Sequence, residues 1–275
     1  MHGLGEDRGV TPTPYGVLMQ DDRGDHGEPL AGGNASGVVV RVGDTVRKPW
    51  LPTTERTVAY MLELRNRGID LPEPHGRDDQ GRLILDFVPG GLAMPNAPLD
   101  VEVIRGAGAL VRCIHDASAG LAVPNDWEVL LPAEEPDLLC HNDLATSNLI
   151  IDGDRLVFID WDGAGPSTRL WDLAYAAISF GHLFPDAHVR ATAARLAAFL
   201  DGYGADDRLR EALPTAMVHR AEAMHELLRR AHETGKEPWA TMYTEGHGDH
   251  WLGTTESIAR HRRDWQLAVT RSSTH

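Results

Sequence analysis

Lysine is nearly absent from this chain. Of 26 lysines and arginines, only Lys48 and Lys236 are lysines. Positive charge is also short: 41 acidic side chains leave a formal net charge of -15 over 275 residues. A balance of that sign repels polyanions, so neither nucleic acid nor an anionic membrane surface is expected as a partner. No apolar run approaches the roughly 18 residues that would span a bilayer. The opening Met1-His2-Gly3-Leu4-Gly5-Glu6-Asp7 has no basic cluster leading into an apolar stretch, so no secretory signal is expected, and the expected localisation is cytoplasmic. Cysteine is scarce too. Cys113 and Cys140 make no metal pattern, and both read as packing thiols.

Hydrophobic residues make up 42% of the chain, enough for a packed core and too many for a disordered polymer. Residues 1–28, rich in Gly, Asp, Arg and Pro, read as a loose leader. A turn-rich loop, Gly32-Gly33-Asn34-Ala35-Ser36-Gly37, comes next. The β-branched runs Val38–Val42 and Thr45–Lys48, separated by Gly43-Asp44, predict a hairpin. Thr53-Thr54-Glu55 opens a helix on which Val58, Met61, Leu62 and Arg65 recur at helical spacing until Gly68 stops it. Arg82–Val88 reads as a buried strand, broken by Pro89-Gly90-Gly91. That break divides a small lobe, 29–87, from a larger one, 88–275. The larger lobe opens with an amphipathic helix, Val101–Leu121, whose inner face carries Ile104, Ala107, Leu110, Val111 and Ile114. A second hairpin joins Asn148–Ile151 to Leu156–Ile159 through Asp152-Gly153-Asp154, and from Trp171 onward the pattern is helical. Strands first and helices after predict an α+β fold.

The strongest signal is His141-Asn142-Asp143-Leu144-Ala145-Thr146-Ser147-Asn148 followed by Ile159-Asp160-Trp161-Asp162. It resembles the catalytic and metal-binding segments of protein kinases, where His-x-Asp precedes an Asn by five positions and a second Asp closes a strand. With Trp161 after that second Asp, and Asp172-Leu173-Ala174 downstream, the chain is similar to the aminoglycoside phosphotransferase family from about Gly32 to Tyr175. The physical chemistry agrees. Phosphoryl transfer needs neutralised phosphate charge and an acceptor oxygen held in line. Magnesium takes hard oxygen ligands, usually one or two carboxylates with water and substrate phosphate. An antiparallel hairpin returns Asp160 to the end where Asn148 starts, so both can hold one ion. Asp143, a few residues earlier, then sits where it can accept or orient a hydroxyl proton. Singly, these residues would read as turn caps and strand ends. In register, with a hairpin between them, they read as a site.

The resemblance implies a protein-kinase-like two-lobed fold with a small antiparallel-sheet N-lobe and a mainly helical C-lobe. It implies transfer of the γ-phosphate of ATP or GTP, with Mg2+, to a hydroxyl of a small-molecule acceptor. The first expectation for that acceptor is an antibiotic, phosphorylated as a means of resistance. Choline or an amino alcohol stays open. So does a catalytically dead kinase scaffold used for binding or immunity, although Lys48, Asp143, Asn148 and Asp160 are all present. Lys48 would contact the phosphates from a strand face it shares with Val46, with Arg47 pointing to solvent. Glu55 resembles the helix glutamate that pairs with such a lysine, and Glu63 is its rival; Glu55 could instead complement the helix N-terminus. Asn34, Ala35 and Ser36 would offer backbone N–H groups to the triphosphate. Asp86, Phe87 and Val88 would form the hinge against the purine. His141 would brace the metal-binding segment, and Asp172 would fix the catalytic loop. His247 and His250 lack the companions of a metal site and read as a polar loop. Glu222 and Glu226, one turn apart, either face a cationic or polyhydroxyl acceptor or pair with Arg229 and Arg230 on a solvated face.

Overall fold

The computed structural model describes residues 27–30 and 37–271. Most of the expected leader, and Asn34, Ala35 and Ser36 of the glycine-rich loop, lie outside the described residues.

The small lobe is a five-stranded antiparallel sheet in the order β1-β2-β3-β5-β4. Its strands are β1 (Glu28–Pro29), β2 (Val40–Val42), β3 (Thr45–Lys48), β4 (Pro74–Arg77) and β5 (Leu83–Asp86). The expected hairpin is β2–β3, turned at Gly43, whose φ of 63° suits a residue without a Cβ. β3 pairs with β5 so that Val46 faces Leu85 and Lys48 faces Leu83. β4 was not legible in the sequence, because Pro74 and Gly76 both disfavour a strand. It sits at the sheet edge with an irregular register against β5.

Helix α1 (Thr54–Asn66) packs on this sheet and on the large lobe. Its buried face is Thr54, Thr57, Tyr60, Met61 and Leu64, rotated from the face read off the sequence, so that Leu62 is exposed. The rotation has a polar cause. The Tyr60 hydroxyl donates to the Leu139 carbonyl at 2.9 Å and lies 2.6 Å from Ser118 Oγ, both in the large lobe. A buried hydroxyl demands such partners, and they orient the helix.

The chain crosses between lobes through Val88 and Gly90. Gly90 has φ 129°, and a Cβ there would fall 2.6 Å from the Ile151 carbonyl oxygen, so a side chain would collide with backbone. β6 (Gly91–Leu92) then joins β8 (Leu149–Asp152) and β9 (Arg155–Phe158) in a three-stranded sheet, while β7 (Leu138–Cys140) pairs with β10 (Gly165–Ser167). Around them lie α2 (Val101–Ser118), α3 (Arg169–Gly181), α4 (Val189–Tyr203), α5 (Asp207–Thr234), α6 (Trp239–Met242), α7 (Gly248–Arg260) and α8 (Arg262–Arg271). α2 and α4 cross closely because glycine stands at both contact points. A Cβ at Gly108 would come within 2.1 Å of the Phe199 carbonyl oxygen, and one at Gly202 within 1.9 Å of the Arg105 carbonyl oxygen. One core runs from Met61, Leu64 and Leu83 of the small lobe through Ile104, Val111, Phe158 and Leu173 to Phe199 and Met217.

Candidate active site

The β8–β9 hairpin brings together the residues expected as oxygen ligands. Leu149 pairs with Phe158, and one further ladder bond, Ile159 N–H to the Asn148 carbonyl at 2.9 Å, sets Asn148 and Asp160 side by side. Asp160 has φ 61°, a left-handed backbone that turns the chain sharply out of β9. Asn148 Nδ2 donates to Asp143 twice, to Oδ2 at 2.8 Å and to the backbone carbonyl at 2.9 Å. Three of the four sequence-expected catalytic and metal-binding residues are thereby in one place. The fourth, His141, is fully buried and braces them. Its Nδ1 accepts the Asp143 N–H at 3.3 Å, so Nε2 carries the hydrogen and donates to the Ile159 carbonyl at 3.1 Å. Its ring lies 4.5 Å from that of Trp161. Asp172 also takes the place expected of it: Oδ1 accepts the Asn142 N–H at 2.8 Å, while Oδ2 lies 3.0 Å from His115 Nε2.

Lys48 reaches this group across the cleft. It is 5% exposed, and its Nζ lies 2.7 Å from Asp160 Oδ1 and 2.7 Å from Asp162 Oδ2. Burial alone would lower its pKa, but the two carboxylates raise it above the usual lysine value. Asp160 shows the converse: burial would raise its pKa, and the Lys48 ammonium holds it below the usual carboxylate range. The helix glutamates are corrected here. Glu55 is exposed, Glu63 forms an ion pair with Arg67 at 2.7 Å, and among the described residues neither is an ion-pair partner of Lys48. The Tyr60 anchor turns Thr54, Thr57 and Tyr60 inward and leaves both glutamates outside. Arg47 is corrected too: its side chain is part-buried, 3.7 Å from Asp78, rather than solvated.

The surroundings of Asp143 disfavour its charge. Burial, with the nearby Asp160 charge, raises its pKa above the usual value, opposed by His141, by the hydrogen bond from Asn148 and by neighbouring Tyr175. Tyr175, on α3, is itself raised by burial and by Asp143. From Tyr175 an aromatic row extends along the C-lobe. Trp251 stacks on Tyr175 at 6.0 Å, His250 meets Trp251 at 5.6 Å, Phe184 meets His250 at 4.9 Å and His182 meets Phe184 at 4.8 Å. Burial lowers the pKa of both His182 and His250. His250 therefore belongs to an aromatic surface rather than to the plain polar loop its sequence suggested, and among the described residues neither it nor His247 joins a metal-ligating cluster. Glu226 is taken by Arg229 at 2.7 Å and Arg230 at 2.6 Å, whose hydrogen bonds pull its pKa to about 2.

At the hinge, the Asp86 N–H donates to the Glu73 carbonyl at 3.0 Å and the Phe87 N–H to the Asp44 carbonyl at 2.9 Å. Those two amides serve the small lobe's own backbone. Val88 instead packs on Ile150 and Val157, with Leu92 and Ile159 beside them, as an apolar floor. Neither Asp162 nor Tyr175 was assigned a role from sequence, although Asp162 stands within the motif that carried the resemblance and Tyr175 ends the stretch it covers. The donor set fits magnesium: two carboxylates, Asp160 and Asp162, and the Asn148 amide are hard oxygen donors, and the Lys48 ammonium already shows that the acids hold a cation.

A two-lobed fold in which one lysine, one hinge and one metal-type hairpin meet in a cleft is the protein-kinase-like fold. Comparison with known proteins narrows it. Residues 116–213 match the phosphotransferase enzyme family, a stretch that includes Asp143, Asn148, Asp160 and Asp172 but not Lys48. The curated protein LicA of Haemophilus influenzae is 44% identical over 48 residues, which is 18% of this chain and 18% of LicA, so the match spans less than a fifth of that relative. A choline/ethanolamine kinase family protein from Mesorhizobium loti superposes with a TM-score of 0.59 at 18% identity, covering 89% of this chain and 94% of that one. The aminoglycoside phosphotransferase APH(2″)-Ib, in its ADP-bound form, gives a TM-score of 0.54 at 12% identity, covering 85% and 94%. The resemblance to the aminoglycoside phosphotransferases, small-molecule kinases of protein-kinase-like fold, holds. No helix among the described residues is long and apolar enough to cross a membrane.

Proposed function

We propose that this chain transfers the γ-phosphate of ATP or GTP to a hydroxyl group of a small molecule. One observation carries the reading: the Asp143 carboxylate, bonded to Asn148 at 2.8 Å, stands beside the acids that Lys48 holds. A group so placed can accept the acceptor's hydroxyl proton while that oxygen bonds to the γ-phosphorus and the bond to the β-phosphate oxygen breaks. The raised pKa of Asp143 suits a base that gives its proton up again. Asp160, Asp162 and Asn148 would hold Mg2+, which when bound neutralises triphosphate charge. Lys48 would turn to the phosphates as nucleotide enters. The intact set of Lys48, Asp143, Asn148 and Asp160 speaks against a catalytically dead binding protein.

For the acceptor, phosphorylation of an antibiotic is the first reading. A choline- or amino-alcohol-type substrate is the second, supported by the likeness to the Mesorhizobium loti kinase-family protein. The deciding experiment is a nucleotide-consumption screen across antibiotics and small alcohols, with mass spectrometry of products. A phosphorylated product requiring Asp143 is expected. Nucleotide binding with no transfer to any acceptor or to water would overturn the reading.

A further inference from the structure

Beneath the catalytic loop lies a positive charge that no carboxylate among the described residues pairs. Arg220, in the middle of α5, is 3% exposed. Its Nη2 donates to the Asn142 carbonyl at 3.2 Å, while Nε and Nη1 are buried with no hydrogen-bond partner among the described residues. The guanidinium lies 4.5 Å from the centre of the Tyr175 ring and 5.5 Å from that of Trp171. A guanidinium buried this way costs stability, and folds keep such groups where they act on something. Burial pulls its pKa below the usual arginine value, and the groups that oppose the shift are Tyr175, Asp143 and Asp172.

What Arg220 grips is the peptide that leads into Asp143. Asn142 has φ 64°, a left-handed backbone uncommon for a side chain other than glycine. Its N–H is held by Asp172 at 2.8 Å, and its side-chain amide by the Gly163 and Gly165 carbonyls at 3.1 and 3.3 Å. Its carbonyl, the acceptor half of the Asn142–Asp143 peptide, is held by Arg220. The same guanidinium lies over the ring of Tyr175, and Tyr175 in turn adjoins Asp143, each acting on the other's charge. One side chain thus controls the backbone behind Asp143 and the phenol in front of it. A lysine could reach one of these and not both, since an ammonium has no planar face to lay on the ring while donating at its edge.

We infer that Arg220 is a positioning residue for phosphate transfer, fixing Asp143 and Tyr175 toward the acceptor from the long helix of the C-lobe. The inference rests on the reading of Asp143 as the acceptor-facing group, so it is tested with and without turnover. In the Arg220→Ala variant, kcat should fall by a factor on the order of 10², the scale of a small misplacement of a catalytic group, with nucleotide affinity unchanged. Ethylguanidinium added to that variant should restore part of the turnover, and Arg220→Lys, checked for a wild-type unfolding midpoint, should not. Without turnover, hydrogen exchange at the 142–144 amides should quicken in both variants while the β8–β9 amides keep their protection. Wild-type kcat in the lysine variant, a loss confined to nucleotide affinity, or unchanged loop exchange would each overturn the role of Arg220. A wild-type protein with no transfer activity would sink the proposed reaction instead, leaving the exchange measurement to decide on Arg220.

Discussion

The Lys48 ammonium lies 2.7 Å from Oδ2 of Asp162, two residues beyond the metal-type aspartate, and not beside any acid of helix α1. Asp162 therefore takes the part that Glu55 or Glu63 was expected to play. Lys48 and Asp162 form a mostly buried ion pair, and removing one charge of such a pair costs about 2–3 kcal/mol, or roughly 30- to 150-fold. Asp162→Asn should cost that much in kcat/KM for nucleotide. Glu55→Gln and Glu63→Gln should leave it essentially unchanged. A Glu55 variant as damaged as the Asp162 variant would restore the helix glutamate.

Lys48→Arg should be poorly tolerated although it keeps the charge. The slot is 5% exposed, with a carboxylate 2.7 Å away on each of two sides. A guanidinium is larger, planar and forked, and would push Asp160 and Asp162 apart. The expected result is a loss on the order of 10² in turnover, as for a misplaced catalytic group, together with weaker nucleotide binding measured by titration. An arginine variant equal to wild type would make Lys48 a mere ion-pair residue.

The parts that could be read in the sequence were those set by short-range chemistry. The β8–β9 hairpin closes through the Asp152–Arg155 turn, so the spacing from Asn148 to Asp160 already contained its geometry. Lys48 stood out because lysine is otherwise almost absent. The rotation of α1 was hidden, because it depends on the Tyr60–Leu139 bond between residues 79 positions apart. Arg220 was hidden for two reasons. Arginine is the common base here, and its grip on Asn142 spans 78 positions. Periodicity reports that a helix has an inner face, and long-range polar anchors decide which residues occupy it.

Asp143→Asn should lower kcat by a factor on the order of 10²–10⁴, typical of a positioned acid–base group, with nucleotide affinity nearly intact. It should also raise the unfolding midpoint at neutral pH. The sign follows from the raised pKa: the folded protein holds this proton more tightly than the unfolded chain does. The resulting penalty is absent below the ordinary carboxylate range. It grows as pH rises through that range and is complete above the raised value. The gain in the asparagine variant should therefore fade as the melting experiment is taken to acid pH. A variant that melts lower than wild type at neutral pH would show that Asp143 stabilises the loop.

Asp160→Ala and Asn148→Ala should both weaken magnesium-dependent nucleotide binding. The aspartate should matter more, because it carries formal charge and a Lys48 contact at 2.7 Å. Asn148 also holds the Asp143 carboxylate at 2.8 Å, so its loss should reach turnover as well as affinity. Nucleotide titrations with and without magnesium separate the two effects. An unchanged metal dependence in the Asp160 variant would remove that residue from the metal site.

The acidic residues of α5 allow a test of how far the net charge of -15 shapes acceptor choice. Glu226 is held by Arg229 and Arg230, at 2.7 and 2.6 Å, which leaves its charge already compensated. Glu222, one turn earlier, is exposed, where screening leaves a single charge little influence. The surface we propose for the acceptor is instead the aromatic row that runs from Tyr175 to Phe184. A Glu222→Gln, Glu226→Gln double variant should then keep wild-type acceptor affinity at low salt and at high salt alike. Trp251→Ala, which removes the ring stacked on Tyr175, should raise the acceptor KM by roughly tenfold, the scale of one lost aromatic contact with its buried area. If the double glutamine variant instead lost affinity, and lost the salt dependence with it, these acids would face a cationic acceptor and the row of rings would be a structural wall.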